Sequence, residues 1–422
     1  MGEKLRENIT GWLFIAPAVI IISLFGLFPI VYAAYMSLFE WVIRPRFTYC
    51  LPHLETLFRE LPRNRRDEMV QLWQLDFTAE IIPRFDAAAC LTNYSRIVGD
   101  WGGVALFVGG FAVLIAAWLL WQRAFAGDTY QPQRPAAREI SPFIKLGVAA
   151  AVLALALGLI TIGWERMFAA GNQKFLNGLI YTLYYALASV PVQLALGLLL
   201  AYVLFQNIRG KTFFRIVYFL PYITPAVAAA TVFGIIFSPR PSSLINQAIG
   251  LVGLEPQKWI AEARPFVNAL FGFNLSGFFA GPSMALISIV LLGLWTYVGY
   301  NTVIYLAGLG QIPGDLYEAA RVDGANDWHL FRYITLPLLS PVTFYLSILG
   351  FIGTFQAFSQ IYVMRSPQAQ GTTDTVSIVV FDTFRGFQQY GQATAQAIVL
   401  MLIILAITQF QRSVLEKQVF YG

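Results

Sequence analysis

Glu318, Ala319, Ala320, Asp323 and Gly324 stand close together in a polar stretch, Pro313-Gly314-Asp315-Leu316-Tyr317-Glu318-Ala319-Ala320-Arg321-Val322-Asp323-Gly324-Ala325, which separates two long apolar segments. The chemistry this spacing offers is recognition rather than bond-making. Asp315 and Glu318 are three residues apart, the capping-box spacing that satisfies orphan N–H groups at a helix start. Ala319 and Ala320 are small, so a partner surface can approach that helix closely. Gly324 suits the left-handed residue that ends a helix, and Asn326 or Asp327 can cap a second helix running toward Pro337. The pattern predicts an exposed helix–turn–helix over 310–340, its first helix at 316–322.

A second set of polar and aromatic side chains is embedded in apolar sequence. Leu220-Pro221-Tyr222-Ile223-Thr224-Pro225, Trp295-Thr296-Tyr297-Val298-Gly299-Tyr300-Asn301 and Gly353-Thr354-Phe355-Gln356-Ala357-Phe358-Ser359-Gln360 combine hydroxyls, amides and ring faces. Hydroxyl-directed hydrogen bonds and rings packed on C–H surfaces are what a sugar requires. The same side chains also serve as interfacial belts and interhelical glue, and the residues alone leave both roles open. Pro221 and Pro225 withhold backbone donors; carbonyls left unpaired are tolerated beside protein or a water-filled cavity, so a cavity is expected near Tyr222.

No catalytic constellation accompanies these groups. His53 and His329 fall in segments assigned to opposite sides of a membrane, and no Cys/His spacing suggests zinc. Gly210-Lys211-Thr212 resembles the end of a phosphate-binding loop, but Phe205 stands where its first glycine belongs and no strand precedes it. Neither ATP hydrolysis nor a bound cofactor is expected of this chain.

The elements that must position these residues are membrane helices. Of 422 residues, 57% are apolar and 12% charged, against about 25% charged in soluble domains. Eight runs approach or exceed the roughly 20 residues needed to span a bilayer: 12–39, 104–121, 144–162, 176–205, 213–237, 282–309, 341–361 and 394–410. The first is too long and too Pro-interrupted for a cleaved signal peptide and is expected to be retained. The spans hold almost no ionisable side chains, Lys145 lying at one end of its run. Ion-coupled transporters usually carry such groups at mid-depth, so the energy for any transport must come from elsewhere. The net charge of +5 lies largely in inter-span loops without a basic, aromatic-interleaved stripe, which fits contact with membrane lipid and excludes nucleic acid.

The polar stretch, followed by Ile334-Thr335-Leu336-Pro337-Leu338-Leu339-Ser340-Pro341, resembles the "EAA" coupling loop of the membrane subunits of bacterial type I ABC importers. It is most similar to the sugar-permease branch, the maltose-type family. The resemblance covers 1–43 and about 164–422. It implies an all-α integral membrane permease core in the bacterial cytoplasmic membrane, working by alternating access with a second permease, two ATPase subunits holding ATP and Mg, and an extracytoplasmic solute-binding protein. It assigns ATPase coupling to Glu318, Ala319, Ala320, Asp323 and Gly324, and sugar contacts to Tyr222, Tyr300 and Thr354 with Gln356 adjacent. The chain departs from the maltose-type pattern at Ala226, Gly350 and Ala357, where polar side chains are expected, which places maltodextrin in doubt but not the sugar class. The rival readings are a secondary transporter of a small polar solute without ATPases and an integral membrane enzyme. The first lacks mid-membrane charge, and the second lacks a clustered acidic or metal site.

Between the two covered parts, 44–103 reads as an extracytoplasmic insert and 104–162 as an extra transmembrane hairpin with a breaker-rich cytoplasmic turn. The segment Asn93-Tyr94-Ser95-Arg96-Ile97 matches a short outside motif of the family. Cys50 and Cys90 both fall in the insert, where an oxidising compartment permits one disulfide; two buried thiols are the alternative. Orientation follows from parity: with 310–340 in the cytoplasm, both termini, 122–143 and 206–212 join it. Arg209, Lys211 and Arg215 agree with a positive interior, whereas eight arginines between the first two spans do not; long segments translocate largely regardless of charge. In a cysteine-free background, Ser242→Cys should react with an impermeant thiol reagent in intact cells and Ala325→Cys should not. The reverse pattern would invert the topology.

Overall fold

Apolar sequence in hydrocarbon must satisfy its backbone groups internally, which leaves helices or closed barrels. The computed structural model, which describes residues 15–16, 18–38, 91–125, 142–206, 209–275, 277 and 280–415, is helical, with one isolated bridge between Pro265 and Ser283 and no strand among the described residues. Cys50, Cys90, His53 and most of the 44–103 insert lie outside the described residues.

In chain order the helices are α1 (Ala18–Ser37), α2 (Thr92–Val98), α3 (Trp101–Phe125), α4 (Pro142–Ala170), α5 (Gln173–Phe205), α6 (Lys211–Ile223) and α7 (Ala226–Ile236). Then follow α8 (Leu244–Gly250), α9 (Phe266–Phe271), α10 (Met284–Leu309), α11 (Gly314–Val322), α12 (Asp327–Leu338), α13 (Ser340–Phe355), α14 (Ser359–Met364), α15 (Val376–Phe381) and α16 (Tyr390–Leu415). Among the described residues six helices are long and apolar enough to cross a bilayer, or up to eight if each bent pair is one span. The pairs are α6 with α7, bent by 95°, and α12 with α13, bent by 60°.

The bend between α6 and α7 and a separate break after α13 correct the straight spans expected at 213–237 and 341–361. At the first, Pro225 disfavours helical backbone in the residue before it, and Thr224 is extended at ψ 133. Thr224 also heals the break: its N–H donates to the Pro221 carbonyl at 3.2 Å and its hydroxyl to the Leu220 carbonyl at 3.0 Å. Those two carbonyls therefore have partners within the chain. At the second, helix α13 stops at Phe355, and the chain resumes helically only at Ser359.

The chain forms two compact units, one from Met1–Leu176 with Thr383–Gln396 and one from Asn177–Asp382 with Ala397–Gly422. In the first unit, Asn93 Nδ2 donates to the Ser37 carbonyl at 2.7 Å, and the Tyr94 and Ser37 hydroxyls are 2.7 Å apart. The end of α1 and the start of α2 are thus held together. Helices α3 and α4 pack through small residues: a Cβ added at Gly163 would lie 2.5 Å from Phe107 N, and one at Gly103 would lie 2.9 Å from the Gly163 carbonyl.

The second unit is organised around α10. A Cβ on Gly299 would lie 1.7 Å from the Tyr218 carbonyl oxygen, so α6 crosses α10 backbone against backbone. One on Gly197 would meet Asn301 Cβ at 2.8 Å, bringing α5 onto the same stretch of α10. Below this crossing, Ala201, Tyr305, Leu309, Leu339 and Leu346 form a buried cluster joining the ends of α5 and α10 to the start of α13. Gly299→Ala should therefore cost about 1–3 kcal/mol by overpacking, read as a lower unfolding temperature in detergent. Gly353→Ala, where an added Cβ meets nothing within 4 Å, should be neutral or slightly stabilising.

Candidate functional site

The helix–turn–helix at 310–340 forms, with one change at its start. Pro313 stands at the cap position of α11 and no side chain caps the helix, so the capping box expected of Asp315 and Glu318 is absent. The fixed φ of Pro313 starts the helix before Asp315, which then lies inside the first turn, where its charge complements the helix dipole. The C-terminal end is as expected. Gly324 has φ +87, and the Ala325 N–H to Ala320 carbonyl and Gly324 N–H to Arg321 carbonyl bonds, at 2.9 and 3.0 Å, complete a Schellman end. Asn326 caps α12 by accepting from the His329 N–H at 2.9 Å.

Glu318, Ala319, Asp323 and Gly324 are exposed on this knob and Ala320 is half-buried. Large apolar groups stand out with them: Val322 is 87% and Trp328 66% exposed. Two residues that sequence reasoning did not single out make the knob rigid. The Tyr317 hydroxyl is 3.0 Å from the buried Thr335 hydroxyl, and Thr335 donates to the Leu330 carbonyl at 3.2 Å within a π-helical turn of α12. Phe331 packs edge-on against Tyr202 of α5 with ring centroids 5.0 Å apart. The knob thereby sits directly on α5.

In that group the structure unites Tyr222 and Tyr300. Their rings stack at 4.6 Å, and Tyr297, one turn from Tyr300, meets Tyr222 edge-on at 6.1 Å. The Gly299 crossing creates this cluster, since it brings the end of α6 against α10. The signal for Tyr297 was available as the i, i+3 spacing on α10, which places it on the face of Tyr300. Thr354 and Gln356 are not bound to these rings: Thr354 is buried and donates to the Phe351 carbonyl at 2.9 Å, while Gln356 is exposed just beyond α13. At Gly350 a Cβ would lie 3.0 Å from Val190 Cγ1 and 3.3 Å from Gln193 Nε2, so Gln193 of α5 brings an amide where the chain lacks a polar side chain. Among the described residues no cluster of His, Cys, Asp or Glu could hold a metal.

These features define a multi-pass helical membrane protein with an exposed helix–turn–helix knob and an aromatic cluster beside a bent helix pair. Residues 166–421 match the family model of the binding-protein-dependent transport system inner membrane component, and the chain belongs to that family. It is a transport subunit rather than an enzyme. The chain is 30% identical over 249 residues to the arabinooligosaccharides transport system permease protein AraP of Bacillus subtilis, covering 58% of this chain and 74% of that protein. It is 29% identical over 236 residues to the trehalose/maltose transport system permease protein MalF of Thermococcus litoralis, covering 56% and 73%. The fold is shared with a chain of a bacterial ABC transporter involved in the import of the acidic polysaccharide alginate, at TM-score 0.50 and 20% identity over 65% of this chain and 96% of that one.

Proposed function

We propose that this chain is the membrane-spanning permease subunit of an ATP-driven importer that carries a di- or oligosaccharide or related polyol across the cytoplasmic membrane by alternating access. The observation that carries the reading is the rigid, exposed knob of α11 and α12, set on the packed base of α5, α10 and α13. A second permease, two ATPase subunits holding ATP and Mg, and an extracytoplasmic binding protein complete the machine. The carbohydrate class is supported by relatives whose names specify arabinooligosaccharides and trehalose/maltose. A secondary transporter would leave the knob without a role.

In this scheme both termini face the cytoplasm. ATPase closure pushes α11, and the motion passes through Tyr317, Thr335 and the buried cluster into α10 and α6, whose tyrosines line the sugar path. Tyr222 and Tyr300 contribute ring faces and hydroxyls, with Thr354 and Gln356 farther along the path. Residues 104–162 act as peripheral scaffold, and 44–103 form an outside elaboration in which Cys50 and Cys90 are candidates for a bridge.

The decisive measurement is sugar-stimulated ATP hydrolysis by the reconstituted complex. Gly324→Val forces a branched side chain into a left-handed conformation at about 1–2 kcal/mol and should abolish stimulation while ATPase copurification falls. Glu318→Ala, which removes no cap, should weaken stimulation only through a lost partner contact. Full stimulation in both variants would remove this loop from coupling.

For the sugar path, Tyr222→Ala and Tyr300→Ala should each raise the half-saturating sugar concentration for uptake about tenfold, equivalent to roughly 1.4 kcal/mol of lost ring contact. ATPase copurification should be retained. Unchanged uptake kinetics would make both residues purely structural.

A further inference from the structure

A cavity of about 720 Å³ opens at the end of α10 remote from the knob, within the roughly 300–1,000 Å³ of small-molecule sites. One wall carries Lys258, Glu262 and Arg264, and the other carries Ser366, Gln368 and Gln370. These polar groups satisfy one another only in part. Glu262 is buried, and Arg264 holds both of its oxygens, Nε to Oε1 and Nη2 to Oε2, at 3.0 Å each. That bond keeps the Glu262 carboxyl below its ordinary range. It cancels the two charges and leaves Nη1 of Arg264, on a side chain 65% exposed, outside the pair. Ser366 donates to Gln368 Oε1, so Gln368 Nε2 keeps its donors. Pro239 and Ile260 add apolar surface to the lining.

Both walls are fastened to α10. The first N–H groups of that helix donate to wall carbonyls, Met284 to Arg264 at 3.0 Å and Ala285 to Glu262 at 3.1 Å. Thr372, from the loop that carries Gln368 and Gln370, donates to the Ser283 hydroxyl at 3.0 Å. Trp259 is left-handed at φ 42, and Asn246 holds it there by accepting from its Nε1 at 2.7 Å. Gln370 is left-handed at φ 51. Such conformations cost energy for residues other than glycine and gather at ligand sites. The lining thus combines guanidinium and amide donors, an apolar side and one net cation, Lys258. A few fixed polar groups on an apolar surface orient a neutral ligand through hydrogen bonds, and a sugar offers both hydroxyls and C–H faces.

We propose that this cavity is a second carbohydrate site, distinct from the tyrosine cluster, in which Arg264, Gln368 and Gln370 donate to sugar hydroxyls and Ile260 packs against a C–H face. Met284, bonded to the cavity wall, precedes Tyr297 by 13 residues of α10, about 20 Å along the helix. The two sites are therefore separate stations on one helix. The proposal rests on the carbohydrate reading given above and adds a site to it.

The test first finds which of maltotriose, trehalose and arabinotriose the complete reconstituted complex takes up. Binding of that sugar, radiolabelled, is then measured on the same complex without nucleotide or binding protein. In complexes carrying Tyr300→Ala a binding component should survive. Adding Gln368→Ala or Gln370→Gly should weaken that component about tenfold, the loss of one or two hydrogen bonds. Glycine adopts φ 51 at no steric cost, so Gln370→Gly removes the amide without threatening the fold. A diazirine derivative of the same sugar should label the peptide 258–264 or 366–370, and excess unlabelled sugar should abolish the label. Unchanged binding in both wall variants, with uptake intact, overturns the second site and leaves transport standing. So does label that glucuronate displaces and the unlabelled sugar does not, because the cavity would then read charge. Uptake of none of the three sugars removes the carbohydrate reading and this proposal with it.

Discussion

The crossing of α6 over α10 at Gly299 is the constraint on which the second unit depends. A carbonyl oxygen that would lie 1.7 Å from an added Cβ leaves no space for any side chain at this point. Lipid tails are as apolar as leucine, so helices in a bilayer gain little from hiding apolar surface and associate through close backbone approach at small residues. Gly299 supplies that approach for α6, and Gly197 supplies it for α5 against Asn301. Two neighbours are thereby fixed on one stretch of α10, and the tyrosine cluster follows from their placement.

The same economy governs the irregular parts. The break between α6 and α7 survives because Thr224 satisfies the two carbonyls nearest it, one with its N–H and one with its hydroxyl. The pair bends by 95° while these backbone groups stay bonded within the chain. The excursion between α1 and α2 is accommodated differently. Its ends are pinned together by Asn93, Tyr94 and Ser37, and the entropy of closing a loop grows only slowly with its length.

The two ends of α10 are fixed by different chemistry. At the knob there are a Schellman end, an asparagine cap and the Tyr317–Thr335 pair, standing on a buried cluster of Ala201, Tyr305, Leu309, Leu339 and Leu346. At the far end, carbonyls of Glu262 and Arg264 take up the first N–H groups of the helix, while their side chains pair with each other. These contacts satisfy backbone groups that a helix end leaves unpaired.

The knob was legible in the sequence because its determinants are local: Gly324 ends a helix and Asn326 begins one through bonds spanning a few residues. The number of apolar runs was legible for the same reason, since bilayer thickness sets their length. The capping box was misjudged because Asp315 and Glu318 satisfy the spacing, but only the backbone at Pro313 decides where the helix starts. The family resemblance grouped Tyr222, Tyr300 and Thr354, while the stacking of the two tyrosines, the addition of Tyr297 and the separation of Thr354 from them required the crossing at Gly299. Contacts between residues tens of positions apart depend on which helix faces meet. Apolar periodicity does not encode that choice where every face of a helix is apolar, and only the packed tertiary structure makes it.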